Sequence, residues 1–317
     1  MNSESYCAKN KNELPDTSII QVPITVRDEA NDILNAYDHS PKLMRELTSS
    51  VMASPQFRQR DVKAAPLAAR LANFLPGLKN IPKTHGGSPS GINWIHATDH
   101  FVCRLAHGLP FTAFSTYEED EEAESTLAAM ASPTEAHLTW RFRQYYQDLP
   151  LLSAVAVPAL REIEKQIQNS SHLCHKERRP FTIYSCHDVT ILGLLYAMRA
   201  DFLVEPDTNT SKDWGQWRWW PGYASTLAFE LVQLDEEKNG LGSHVLRVLL
   251  DRSPLDTTNS AKNITDKNDQ GGGIIQLSDF SCLIQRLEKA GKVEAVEGSD
   301  ANTDSQEKVN NSEFRTG

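Results

Sequence analysis

From Ile19 onward the chain alternates between two kinds of stretch. In one, apolar residues recur every three or four positions, as on the face of a helix; in the other they alternate or cluster, as in strands. Ile19 to Val26 (IIQVPITV) reads as extended, and Pro23 confines it to a sheet edge or an irregular segment. Ser40-Pro41 opens a helix with Leu43, Met44, Leu47 and Val51 on its apolar face. A second helix is expected from near Pro66 to Leu75, stopped by Pro76-Gly77, followed by a loop over residues 79–90. Gly91 to His107 is again helical, with Ile92, Ile95, Phe101, Val102 and Leu105 as its apolar set. Trp140 to Gln168 reads as one long helical stretch with Leu152, Val155, Ala159, Ile163 and Ile167 in a stripe, kinked or restarted at Pro158.

The pattern changes at Pro180. Phe181, Ile183 and Tyr184 predict a short buried strand. After Asp188, Val189, Leu192, Leu195, Tyr196 and Met198 return to a helical period. His187 and Asp188 are thereby placed at a strand-to-helix turn. Further on, Ser225 to Leu234 and His244 to Leu250 alternate as two strands, joined as a hairpin through the polar segment Asp235 to Gly242. Residues 254–273 are polar and end in three glycines, and Ser278 to Lys289 forms a last amphipathic helix with Phe280, Leu283, Ile284 and Leu287 inward. A helical block, then strand, turn and helix, then a hairpin, predicts an α/β fold. Its expected form is a mostly parallel sheet core with helices on both faces plus a helical cap domain. Residues 1–18 are expected to be a disordered leader and 30–170 the mainly helical cap. Residues 19–29 and 171–290 would belong to the α/β core, and 291–317 to a disordered tail.

Composition narrows the function classes. With 39% hydrophobic and 8% aromatic residues, the chain is globular in character. Its net charge of −10 argues against wholesale nucleic-acid binding. No apolar run reaches the length of a membrane span, and Met1 to Asn10 lacks the apolar core of a signal peptide. The five cysteines, Cys7, Cys103, Cys174, Cys186 and Cys282, include no C-x-x-C pair. Glu118 to Glu122 reads as a solvated loop or helix start, because the spaced ligands and glycine turn of a Ca²⁺ loop are absent. Charged His175 to Arg179 reads as surface near a helix C-terminus. Four glycosylation sequons, beginning at Asn169, Asn209, Asn263 and Asn310, permit secretion without establishing it. His96-x-x-Asp99-His100 sets two imidazoles at i and i+4, superficially like a zinc-protease order, but a third ligand cannot be named. No metal and no cofactor are expected.

The turn at His187-Asp188 carries the candidate chemistry. Unpaired amides at the start of a helix favour an anion, and ligands of open α/β sheets sit at the carboxyl ends of strands. An imidazole beside a carboxylate can hold a phosphate and supply a proton; the plainer reading makes Asp188 a helix cap and His187 a turn residue.

Tyr184 to Thr190 (YSCHDVT) resembles the Ser-Ala-His-Asp segment of the histidine acid phosphatases, the capped branch of the histidine phosphatases. The spaced Trp94, Asp99, Cys103 and His107 are similar to a cap helix of that family. Trp220 to Ser225 followed by Phe229-Glu230-Leu231 resembles its Tyr-Ala-Ser…Glu-Leu strand, and the Leu277 to Phe280 helix its C-terminal region. The resemblance covers about residues 19–290. It implies a phosphomonoester hydrolase in which His187 contacts the transferred phosphoryl group and Asp188 is the general acid for the leaving oxygen. The implied partner is a phosphorylated small molecule or other phosphoester, with no nucleic acid and no membrane span. Family members are often secreted or lysosomal, which leaves the compartment of this chain open, as it does the oligomeric state.

One departure outweighs these matches. The family's phosphoryl-accepting histidine lies in an Arg-His-Gly-x-Arg motif, followed by a further arginine motif, and no Arg-His-Gly occurs in this chain. The expectation is therefore a C-terminal two-thirds of such a phosphatase, inactive alone, with a core strand lacking beside Phe181–Ser185. The alternative is a non-catalytic module that binds a phospholigand or a partner.

Overall fold

The computed structural model describes residues 24–79, 91–113, 117, 120–172, 181–203, 219–233, 244–257 and 273–303, with the backbone alone described at 30, 171, 172 and 293–303. It is helix-rich. In chain order the helices are α1 (Ala36–His39), α2 (Pro41–Met52), α3 (Pro55–Phe74), α4 (Trp94–His107), α5 (Glu121–Gln147), α6 (Leu149–His172), α7 (Asp188–Met198) and α8 (Leu277–Thr303). The strands are β1 (Leu227–Gln233), β2 (His244–Leu250), β3 (Ser253–Pro254) and β4 (Ile274–Gln276).

Local chemistry explains most helix ends. Pro41 occupies the first turn of α2 after Ser40, as expected. The Ser54 side chain accepts the amide of Phe57 to open α3. Asn93 accepts the amides of Ile95 and His96 at the start of α4, and Gly108, at φ 62°, closes it. Asp120 accepts the amide of Ala123 at the start of α5, so this end of the acidic run is a helix cap. The expected single stretch from Trp140 is instead two helices, broken where Asp148 leaves helical geometry and accepts the amide of Leu151.

Proline positions mislead a sequence reading here. Pro66 does not start α3 but lies inside it, and Pro133 and Pro158 lie inside α5 and α6 without ending them. Each proline deprives the carbonyl four residues earlier of its partner. Those residues are Val62 and Ala129, both exposed, and Ala154, half-buried, so water can serve the freed carbonyls.

The described strands pair antiparallel; a mostly parallel sheet is not among them. β1 and β2 form the expected hairpin, with Leu227 opposite Leu250 and Gln233 opposite His244. β3 and β4 pair antiparallel with β2 along its other edge. The predicted strand at Phe181–Ser185 has no ladder partner among the described residues. Phe181 and Ile183 are 73% and 78% exposed rather than buried. The Ile19–Val26 segment is likewise not a strand where it is described, and Ile24 and Val26 are exposed. An apolar strand is buried only if neighbours cover it, and periodicity cannot guarantee the neighbour.

The core runs through the helices. α6 packs extensively on α8 and on α7. Arg161 of α6 holds Glu288 of α8 through two bonds of 2.8 and 2.6 Å. Phe280, Leu283, Ile284 and Leu287 of α8 are buried as predicted. Beyond Gly291, where disorder was expected, α8 continues to Thr303; alanine, lysine and glutamate there have high helix propensity without an apolar stripe. Leu43 and Leu105, expected inward, are exposed. Readings that fall on residues 1–23, 80–90, 114–116, 118–119, 173–180, 204–218, 234–243, 258–272 and 304–317 lie outside the described residues. Among these are the leader, the 79–90 loop beyond Lys79, the charged His175–Arg179 and the Asp235–Gly242 connection of the hairpin.

Candidate active site

The site is built around the first turn of α7. His187 is its N-cap residue, in extended geometry, and its side chain makes no capping bond. The imidazole Nε2 lies 3.3 Å from Nδ2 of Asn35. An amide nitrogen can only donate, so in this contact Nε2 is the accepting side.

Asp188 is held at both carboxylate oxygens. Oδ1 accepts the amide of Val189 at 2.7 Å, and Oδ2 accepts the indole N–H of Trp220 at 2.7 Å. Three further contacts fix the turn. The hydroxyl of Tyr146 donates to the carbonyl of Val189 at 2.8 Å. The hydroxyl of Thr190 donates to the carbonyl of Leu34, which brings Asn35 to His187. Gly193, one turn later, lets α7 approach α6: a Cβ there would lie 2.8 Å from Cγ1 of Val155.

Helix α4 and the turn meet through the 219–226 segment. Trp220 reaches Asp188 while its ring packs edge-on against Phe142, centroids 5.1 Å apart. Three residues on, the Tyr223 hydroxyl lies 2.9 Å from the Cys103 sulfur of α4, and the His107 ring stands edge-on to Tyr223. The spacing of Asp99, Cys103 and His107 thus gains a physical reason. At intervals of four they share one helix face, and this face meets the segment carrying Trp220. Trp94 instead enters the core, fully buried, with its ring 4.2 Å from that of His137.

Negative charge gathers here. The Asp99 carboxyl is pushed up, first by burial and then by the charge of Asp188, with His96 opposing. The Cys186 thiol is pushed up by burial, then by Asp188 and Asp32. Among the described residues no arginine or lysine makes a hydrogen bond or ion pair with His187 or Asp188. The turn therefore offers a hydrogen-bonding imidazole, a fixed carboxylate and helix amides, with no cation bonded to it among the described residues.

His100 is engaged by other partners. Nε2 of His100 donates to the carbonyl of Phe111 at 2.9 Å, and its ring packs edge-on against Phe101. Among the described residues no group of three or more histidine, cysteine, aspartate or glutamate side chains is placed to hold a metal ion. Among the described residues, no helix is long and apolar enough to cross a membrane.

Sequence reasoning located His187 and Asp188 at the turn but missed Asn35 and the Trp220–Asp188 bond. Asn35 lies in a short polar segment without periodicity, 152 residues away in sequence. Trp220 carried a weak signal, an indole N–H that needs an acceptor when buried. The family model described as histidine phosphatase superfamily, branch 2, matches residues 7–251. No curated protein matches the chain significantly.

Proposed function

The chain belongs to the histidine phosphatase superfamily, branch 2, and on that premise we propose that it carries the acid-and-phosphate half of a phosphomonoesterase site of the acid phosphatase type. Asp188 is the general acid that protonates the leaving oxygen, and His187 contacts the phosphoryl group. The observation that carries this reading is the pair of 2.7 Å bonds that fix Asp188 beside His187 at the start of α7. A general acid must be held in hydrogen-bond reach of the atom it protonates, and helix-opening amides favour the phosphate charge.

The remaining parts of the reaction would come from the Arg-His-Gly motif, which this sequence lacks. Phosphoryl transfer to histidine needs an imidazole aimed in line at phosphorus and cations on the equatorial oxygens. The chain has no Arg-His-Gly, and among the described residues the charges acting on Asp99 and Cys186 beside the turn include the Asp188 and Asp32 carboxylates. We infer that the chain corresponds to the C-terminal two-thirds of an acid phosphatase and does not turn over phosphomonoesters by itself. Phe181–Ser185, exposed except for half-buried Tyr184, is where a further strand of a mostly parallel core would pair on this reading, with the helices between 30 and 170 as the cap. The absence of the motif equally favours a second reading, a non-catalytic module that binds a phospholigand or a partner.

Titration with inorganic phosphate, followed by calorimetry, tests the assignment. His187→Ala should weaken binding about tenfold, the worth of one hydrogen bond to a charged group. Unchanged affinity in His187→Ala would remove the imidazole from phosphate contact.

A further inference from the structure

Asn35 stands between two groups that determine what its side chain can do. Its Nδ2 lies 2.6 Å from Oδ2 of Asp38 and 3.3 Å from Nε2 of His187. An ionised carboxylate only accepts, and the nitrogen is the one donor of the asparagine amide, so Asp38 fixes which end of that amide enters this space. With the amide oxygen there instead, two acceptors would face each other at 2.6 Å. The nitrogen carries two N–H groups, one for each neighbour.

The backbone sets the place of Asn35. The amide of Leu34 donates to Oδ1 of Asp32 at 3.0 Å, and the carbonyl of Leu34 accepts the hydroxyl of Thr190 in α7. The amides of Asp38 and His39 donate to the carbonyl of Asn35 at 3.2 and 2.8 Å. The segment that opens α1 is thus tied to the first turn of α7, and Asn35 is half-buried beside the exposed His187. A neutral imidazole has one donating and one accepting nitrogen, and the partner of one decides the role of the other. A phosphate oxygen requires the donor.

We propose that Asn35, oriented by Asp38, is the positioning residue for His187: it keeps Nε2 accepting and so leaves Nδ1–H as the ring's donor to phosphate. For the phosphate, this rests on the reading of His187 given above. Asn35 acts through the ring and not on the phosphate.

Two-bond proton–nitrogen correlation NMR of the 317-residue chain, isotopically labelled in histidine, shows which ring nitrogen carries the proton. It is read without phosphate, at a pH above the ring's own titration, with His187→Ala identifying the signal. The natural chain should carry the His187 proton on Nδ1. In Asn35→Asp/Asp38→Asn the two roles change places at constant net charge, because the new carboxylate only accepts and the new amide donates to it. The proton should then move to Nε2. Calorimetric titration with inorganic phosphate at the same pH gives the second readout. Asn35→Ala should weaken binding about two- to tenfold: twofold if half the rings adopt the other tautomer, and up to the worth of one hydrogen bond if the ring also loses its orientation. The same change in the His187→Ala background should have no effect. A proton on Nε2 in the natural chain, or one that stays on Nδ1 in the exchanged pair, would overturn the proposal. So would phosphate affinity that falls in His187→Ala but is untouched by Asn35→Ala, or that Asn35→Ala lowers equally with and without His187. Because the tautomer is read without phosphate, it judges Asn35 even where His187→Ala leaves phosphate affinity unchanged, an outcome that would end the assignment of His187 as the phosphate contact.

Discussion

Removing the carboxylate of Asp61 should destabilise the helical block more than most single substitutions. Asp61 of α3 is 6% exposed, and its Oδ1 lies 2.7 Å from Nη1 of Arg141, a fully buried residue of α5. His137, one turn before Arg141, places Nε2 3.3 Å from the same oxygen. Arg141 also donates to the Tyr145 hydroxyl at 3.2 Å and stacks over Phe57 at 4.7 Å. Breaking a buried ion pair by deleting one partner costs about 3–5 kcal/mol, because the other charge stays desolvated. The contacts to Tyr145 and Phe57 survive in Asp61→Ala, so the expected cost lies at the lower end, about 3 kcal/mol. That corresponds to a fall in Tm on the order of 10 °C. Replacing both partners, as in Asp61→Leu/Arg141→Met, removes the charge together with its counter-charge and should cost less than about 2 kcal/mol. Urea unfolding of the natural chain, Asp61→Leu, Arg141→Met and their double variant measures the coupling, with Asp61→Ala alongside. A cost below about 1 kcal/mol for Asp61→Ala, or additivity of the two single changes, would refute the reasoning.

Two further outcomes follow from the packing and the titrating groups. Gly193→Ala should destabilise by about 1–3 kcal/mol, since its Cβ would sit 2.8 Å from Val155 Cγ1 and 3.7 Å from the Tyr146 ring; in urea unfolding, Val155→Ala should cost less in that background than alone. His100 is held down to about 4, chiefly by burial and then by Arg104, and is neutral in the fold. The unfolded chain takes up this proton below about 6.5. Its contribution is therefore complete above pH 6.5, declines as pH falls towards 4 and changes no further below that. Melting temperature against pH should show a shallower decline over this window in His100→Gln than in the natural chain.

How much was legible depended on whether the deciding interaction was local. Ser40-Pro41, the turn at His187-Asp188, and the alternation of β1 and β2 all act within a few residues, and the observed elements follow them. Pro66 misled because whether a proline stops a helix depends on who serves the freed carbonyl, here that of an exposed residue. The break at Asp148 was hidden because apolar periodicity continues across it while a single cap redirects the chain. Phe181 and Ile183 carry the composition of a buried strand, yet burial belongs to the neighbours, which no local pattern specifies. In the site, His187 and Asp188 were readable from their own turn. Asn35 and Trp220 reach them from 152 and 32 residues away and became apparent only once the chain was folded.

The central claim, a fixed acid and phosphate contact without a nucleophile, is tested most directly by turnover. The purified 317-residue chain is assayed with an aryl phosphate at mildly acidic pH, beside His187→Ala and Asp188→Ala. A general acid alone accelerates a step by about 10²–10⁴-fold, far below a phosphatase's full rate, so the account predicts no enzymatic release of phosphate from any of the three. Turnover by the natural chain that disappears in both variants would contradict it, because another residue would then be accepting the phosphoryl group.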